Sequence, residues 1–157
     1  MMHGIIRLFL PLAACLLIIC GARAASSDAG LFQGNFTGIA AGDGDRSAPI
    51  MLNLTQSGSW VVGSVTIHPG INIHTGGLIC PGTVAVSSGK MGINGSISNK
   101  NPRQLAAKSV FTASGMKIVA DMLAEISRDG STMKAQIKLN VPWPCRSPAI
   151  TANLARS

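Results

Sequence analysis

The sequence has 157 residues, with 13 Lys and Arg against 6 Asp and Glu, for a formal charge of +7. That length holds one domain, and 46% hydrophobic content is enough for a core, which excludes an intrinsically disordered chain. Eighteen glycines and no tyrosine argue against long helices and against an aromatic-walled cleft.

Residues 1–24 read as a secretory signal peptide, leaving 25–157 as a single β domain. Arg7 supplies the positive end, Leu8 to Cys20 is an apolar run broken only by Pro11, and Ala22-Arg23-Ala24 offers small residues ahead of a cut before Ala25. An uncleaved anchor is the alternative, but the run is shorter than the roughly 20 residues a span needs. Leu12-Ala13-Ala14-Cys15 matches a bacterial lipobox; cutting there would leave an apolar stub on the mature chain. The leader has a bacterial style, so the expected address is periplasmic or secreted. On that reading the sequons at Asn35, Asn53 and Asn94 are unused. The mature chain keeps Cys80 and Cys145. In an oxidising compartment an even count implies a disulfide, with two free thiols as the alternative. Chain-entropy reasoning gives such a closure roughly 3–4 kcal/mol.

Short segments of period two then follow one another, separated by Gly, Ser, Asn and Asp. Leu31 to Gly38 places Phe32 and Phe36 on one face. Ala40 to Pro49 reads as a polar loop. Ile50, Leu52 and Leu54 alternate with Asn53 and Thr55, Ser57-Gly58-Ser59 turns the chain, and Trp60 to Ile67 returns with Val61, Val65 and Ile67 facing one way. His68 to Gly77 is turn-rich, and Leu78-Ile79 and Thr83 to Val86 flank Cys80 as short strands. Lys90 to Ser98 and Leu105 to Thr112 are further strands.

Met116 to Ser127 fits two periods. Met116, Ile118, Ala120, Met122, Ala124 and Ile126 alternate as in a strand, while Met116, Val119, Ala120, Leu123 and Ile126 mark a helical face. Asp129-Gly130 favours the strand, because it is a hairpin turn signal, and Met133, Ala135, Ile137 and Leu139 then alternate strictly with polar residues. Ile150, Ala152 and Leu154 form a last strand. The predicted fold is all-β: an antiparallel meander of about eight strands closing into a small barrel or sandwich. Its inward faces are apolar, the reverse of a membrane barrel.

Gly34-Asn35-Phe36, then Leu52-Asn53-Leu54-Thr55-Gln56-Ser57-Gly58, then Val62-Gly63-Ser64-Val65 resemble the first hairpins of small exported lipocalin- and avidin-like, calycin-type barrels. The resemblance covers about 35 residues and implies barrel architecture without naming a ligand. It departs from both families. Where lipocalins place Gly-x-Trp with a late Arg packed on it, this chain has Phe36 and no clear Arg partner. Where avidins wall their pocket with several Trp and a Tyr, it has two Trp and no Tyr.

Catalytic constellations are sparse. There is no Gly-x-Ser-x-Gly, and the mature chain offers only His68 and His74 as imidazole bases. Asp121 and Glu125 on a strand would stand about 13 Å apart, beyond the ~5–9.5 Å of glycosidase carboxylate pairs. No catalytic residue, cofactor or metal is therefore expected. Met91, Met116, Met122 and Met133 fall on apolar faces as core filling. Asp43-Gly44-Asp45 begins like a calcium loop, but Arg46 follows and no later acid completes it.

The remaining candidates are binding residues. Trp60, His68, His74 and Trp143 are candidate ligand contacts. Pro142-Trp143-Pro144-Cys145 is a stiff segment whose indole either covers one barrel end beside the disulfide or stands out for recognition. Lys134 and Lys138 share one strand face, with Lys117 placed across the hairpin, as a candidate contact for anionic surfaces; the plain alternative is that outward lysines keep strand edges unpaired. The expectation is a non-enzymatic binding or envelope-accessory protein working through the end that carries Trp143, the Cys80–Cys145 bridge and the His68–His74 loop. The alternative is a secreted protein-interaction module such as an inhibitor of an extracytoplasmic enzyme; a hydrolase or lyase would need an acid–base pair hidden in the linear sequence. The expected partner is a protein or an anionic envelope component, not nucleic acid. The chain is expected to be monomeric, with no transmembrane segment after cleavage.

Overall fold

A computed structural model describes residues 30–42, 47–76, 80 and 82–157. The expected signal peptide with its cut before Ala25, the Asp43-Gly44-Asp45 segment and the expected Leu78-Ile79 strand lie outside these residues. Ten strands follow in order: β1 Gly34–Gly42, β2 Ser47–Ser57, β3 Trp60–Ile67, β4 Gly70–His74, β5 Thr83–Ser87, β6 Lys90–Ile97, β7 Gln104–Ala113, β8 Met116–Ile126, β9 Thr132–Asn140 and β10 Ala149–Arg156. Eight of them close a barrel in the order β1-β10-β9-β8-β7-β6-β3-β2, every pair antiparallel, and β4 and β5 form a separate hairpin inserted between β3 and β6.

The alternating pattern drives this closure. Along β9, Met133, Ala135, Ile137 and Leu139 are buried while Lys134, Gln136 and Lys138 are exposed. Met116–Ile126 is one strand, with Ile118, Ala120, Met122, Ala124 and Ile126 inward. The tight turns carry the residues their backbone requires: Ser114 and Gly115 both have positive φ between β7 and β8, the geometry of a two-residue hairpin turn.

Two segments differ from their sequence reading. Ala40 to Pro49 is not wholly a polar loop: the β1–β2 ladder runs on to Ala41 opposite Ser47, and Ala40 and Ala48 are buried cross-strand partners. Alanine is too small to announce a buried face by hydropathy, so the alternation was hidden. His68 to Gly77 is not only turns: β4 lies within it, and Ile71 and Ile73 bury into the core opposite Val86 and Val84 of β5. A cis His68–Pro69 bond precedes this hairpin.

The interior is filled from both ends. Phe32 and Phe36 are fully buried at the end where the described chain enters, and the β4–β5 hairpin seats Ile71, Ile73, Val84 and Val86 in the same core. Between them the walls carry small inward residues such as Ala107, Ala120, Ala124, Ala135 and Ala152, which let facing strands approach closely. Glycine serves the same end where strands coil. A Cβ at Gly63 would collide with the Asn53 carbonyl on β2, and one at Gly38 with the Asn153 carbonyl on β10.

Candidate binding surfaces

Arg156, the last residue of β10, organises the entry end. Its Nε donates to the Gly130 carbonyl at 2.8 Å and its Nη2 to the Leu31 carbonyl at 2.5 Å, while Nη1 donates to the Gln33 carbonyl. Its Cζ stands 4.6 Å from the centroid of the Phe36 ring. The late arginine that the sequence did not reveal is therefore present: Arg156 packs on Phe36 of Gly34-Asn35-Phe36. The pairing was hidden because it joins residues at opposite ends of the barrel sequence, brought together by the β1–β10 ladder.

The opposite end is latched. Cys80 and Cys145 form a disulfide, Cα to Cα 5.5 Å, between the β4–β5 hairpin and the β9–β10 connection. The Arg146 amide adds a 2.8 Å bond to the Thr75 carbonyl. His68, ahead of β4, and His74, its last residue, are both exposed here, and the His74 Nδ1 lies 3.2 Å from the Gly82 carbonyl. Trp143 shares this end. It is 91% exposed, so it does not plug the barrel; Ile71 and Ile73 of β4 are buried in the core instead. Structure thus gathers His68, His74, Trp143 and the disulfide at one end and leaves Trp60 elsewhere. Among the described residues no three His, Cys, Asp or Glu side chains cluster as a metal site would require, and no helix is long and apolar enough to cross a membrane.

Inside the barrel a cavity of about 30 Å³ remains, walled by residues such as Met91, Phe111, Ile137 and Ile150. The Ser109 hydroxyl is buried against it with no hydrogen-bond partner. This space has room for about one water, whereas small-molecule sites measure roughly 300–1,000 Å³.

A far larger concavity, about 920 Å³, lies on the outer wall. Two cross-strand rows line it. One runs Trp60, Ser96, Ala106, Leu123, Gln136, Thr151 from β3 to β10, and the next carries Asn94, Lys108, Asp121 and Lys138. Trp60 is 62% exposed and Leu123 52%. Lys108 Nζ lies 3.5 Å from Asp121 Oδ1, and Asn140 Nδ2 donates to Asp121 Oδ2 at 2.6 Å. The Lys108 side chain is largely exposed and that of Asp121 partly so, although the Asp121 Oδ1 atom itself is shielded and accepts no hydrogen bond; at 3.5 Å this partly screened pair contributes little stability.

Lys134 and Lys138 do share the outer face of β9. Across the β8 ladder they stand opposite Glu125 and Asp121, while Lys117 pairs with Thr112 on β7. The face is therefore a mixed ladder of charge. Even so, the described residues hold ten Lys and Arg against Asp121, Glu125 and Asp129, and two of those acids are already matched, to Lys108 and to Arg103. Of the residues in this row the sequence singled out Trp60 alone; Leu123 and Gln136 lie three and four strands further along it. The available signal was the apolar Leu123 on the outward face of β8, which made that segment look helical.

No family model matches the chain, and no curated protein matches it. Among solved structures it is similar to one described as EF1p2_mFAP2b bound to DFHBI, with a TM-score of 0.52 at 12% identity, covering 82% of this chain and 96% of that one. At that identity the likeness is one of fold: a small closed antiparallel barrel.

Proposed function

We propose that the chain is an exported, non-enzymatic binding protein whose partner meets the outer wall of the barrel. The observation that carries this reading is the outer concavity of about 920 Å³, far larger than the cavity of about 30 Å³ walled by Met91, Phe111 and Ile137. Exposed Trp60 is the kind of side chain that dominates binding energy, and exposed Leu123 adds apolar surface to the same concavity. Export is supported by the disulfide, which persists in oxidising compartments, together with the leader-like residues 1–24; residues 25–157 are then the mature domain. The solved neighbour is described with a bound small molecule, which agrees with a barrel used for binding.

Trp60→Ala and Leu123→Ser variants test the site. Both should keep the wild-type melting temperature and lose the partner that the wild-type protein retains from an extract of its source cells. Retention unchanged in both variants would refute an outer-wall site. Mass spectrometry of protein purified from its own host tests export: the expected mass is that of residues 25–157 less two hydrogens.

A second reading is a protein-interaction module that engages an enzyme through the latched end. It is favoured by Trp143, 91% exposed on a loop stiffened by Pro142, Pro144 and the disulfide, because a rigid loop loses little freedom on binding. A Trp143→Ala variant that alone loses the partner would select this reading over the first.

A further inference from the structure

The composition of the groove narrows what it binds. Resting on the outer-wall reading above, we infer that the groove takes an acidic polysaccharide: a chain of hydroxyl-rich sugar rings bearing carboxylates, laid across the strands with one ring face on Trp60.

Three observations lead there. The first is extent. The lining residues come from six neighbouring strands of the closed barrel, β3, β6, β7, β8, β9 and β10, so the polar groups are spread along a curved path around the wall. A flexible chain of linked units can follow such a path, whereas a compact molecule touches only part of it. The second is the floor. Gly95, Ser96 and Ala106 are small, so a flat ring can lie close to the sheet next to the exposed indole.

The third is chemistry. The middle of the groove holds the amides of Asn94 and Gln136, the hydroxyls of Ser96 and Thr151, the Asp121 carboxylate and the Lys108 and Lys138 ammonium groups. Amides and hydroxyls both donate and accept, a carboxylate accepts, and an ammonium donates. This set matches a polyhydroxylated chain whose hydroxyls do both and whose carboxylates accept from lysine. Lys108 is engaged by Asp121, but Lys138 has no carboxylate within 4 Å among the described residues, leaving a cation open to an incoming anion.

The same groups argue against other polymers. Charged residues are depleted at the centre of protein–protein interfaces, and a dry contact here would strip water from three charges at once. A hydrated glycan leaves bridging water in place. A polyphosphate or nucleic acid would set phosphate charge against Asp121, with Trp60 as the lone stacking ring.

The test is titration calorimetry of the full mature protein with polygalacturonate oligomers at low ionic strength. Parallel titrations use the same oligomers with their carboxylates reduced to alcohols, and polyphosphate. Polygalacturonate should bind. Affinity should fall about tenfold or more in Trp60→Ala, fall several-fold in Lys138→Gln and for the reduced oligomer, and stay unchanged in Trp143→Ala, which lies outside the groove. Absence of polygalacturonate binding, indifference to Trp60→Ala, or equally tight polyphosphate binding would overturn the inference. A photo-crosslinker placed at position 123, exposed to an extract of the source cells, separates the two levels. A protein crosslinked in a Trp60-dependent way overturns the glycan and leaves the outer-wall reading standing. With no crosslink and no glycan bound, both fall.

Discussion

Replacing Arg156 by Met should destabilise the barrel more than any other substitution at an exposed position. The guanidinium bonds three carbonyls, from Leu31, Gln33 and Gly130, and lies over the Phe36 ring at 4.6 Å. It thereby ties the entry segment and the β8–β9 turn to the end of β10. Hydrogen bonds to a charged donor contribute about 1.5–3 kcal/mol each when well formed, and a cation over a ring at an exposed site about 0.5–1 kcal/mol. These terms share one side chain and are partly solvated, so they do not add. We expect a loss of about 2–4 kcal/mol, which for a domain of this size lowers the melting temperature by roughly 8–16 °C. Arg156→Lys keeps the charge but not the planar fork that reaches three acceptors, and should forfeit more than half of the same amount. Urea and thermal unfolding followed by circular dichroism measure both, with Arg128→Ala as an exposed control expected within about 0.5 kcal/mol of wild type. If Arg156→Met also falls within about 0.5 kcal/mol, or if Arg156→Lys is as stable as wild type, the reasoning from the fork geometry is wrong.

Reduction of Cys80–Cys145, or the Cys80→Ser/Cys145→Ser pair, frees a loop of 65 residues; chain entropy gives a loss of about 4 kcal/mol, read as a reductant-dependent melting temperature that the double variant no longer shows. Gly63→Ala places a methyl group against the Asn53 carbonyl on the neighbouring strand and should cost about 2–4 kcal/mol or prevent folding, whereas Gly82→Ala meets nothing within 4 Å and should be neutral in the same unfolding assay. Asp129 accepts from the Ser127 hydroxyl at 2.5 Å, the Ser131 hydroxyl at 2.7 Å and the Ser131 amide at 3.2 Å, and these bonds, Ser127 first, hold its carboxyl down at about 2. Because the folded value is the lower one, its contribution to stability is complete above pH 3.8 and disappears as pH falls through about 2. A carboxyl NMR titration should place Asp129 near 2 in the wild type and near its ordinary value in Ser127→Ala/Ser131→Ala.

Much of the barrel was legible because period-two alternation is a local signal. Met133 to Leu139, Ile50 to Gln56 and Trp60 to Ile67 each declare an inward face without reference to any other segment. The signal faded where inward residues are small or the run is short. Ala40 and Ala48 read as loop, and Ile71 and Ile73 were lost among the turn residues around Pro69-Gly70. The candidate site was less legible. Trp60 attracts notice anywhere, but Ser96, Ala106 and Gln136 are ordinary outward residues until pairing aligns them. Trp143 could be assigned to the covering or the exposed role only from its burial in the folded chain, where it is almost fully exposed.

By itself the sequence determined the architecture class: alternation specifies strands with a dry face, and turn residues such as Ser57-Gly58-Ser59 and Asp129-Gly130 specify where they reverse; the expected Cys80–Cys145 pairing, which rested on setting residues 1–24 aside as a leader, is the one the structure forms. Tertiary structure alone decided that β3 and β6 are neighbours with a hairpin folded over the end, that Arg156 meets Phe36, and that outward residues of six strands line one concavity. The physical reason is that burial periodicity is set within a few residues of chain, whereas cavity volume, cross-strand rows and cation–ring contacts depend on register between segments far apart in sequence.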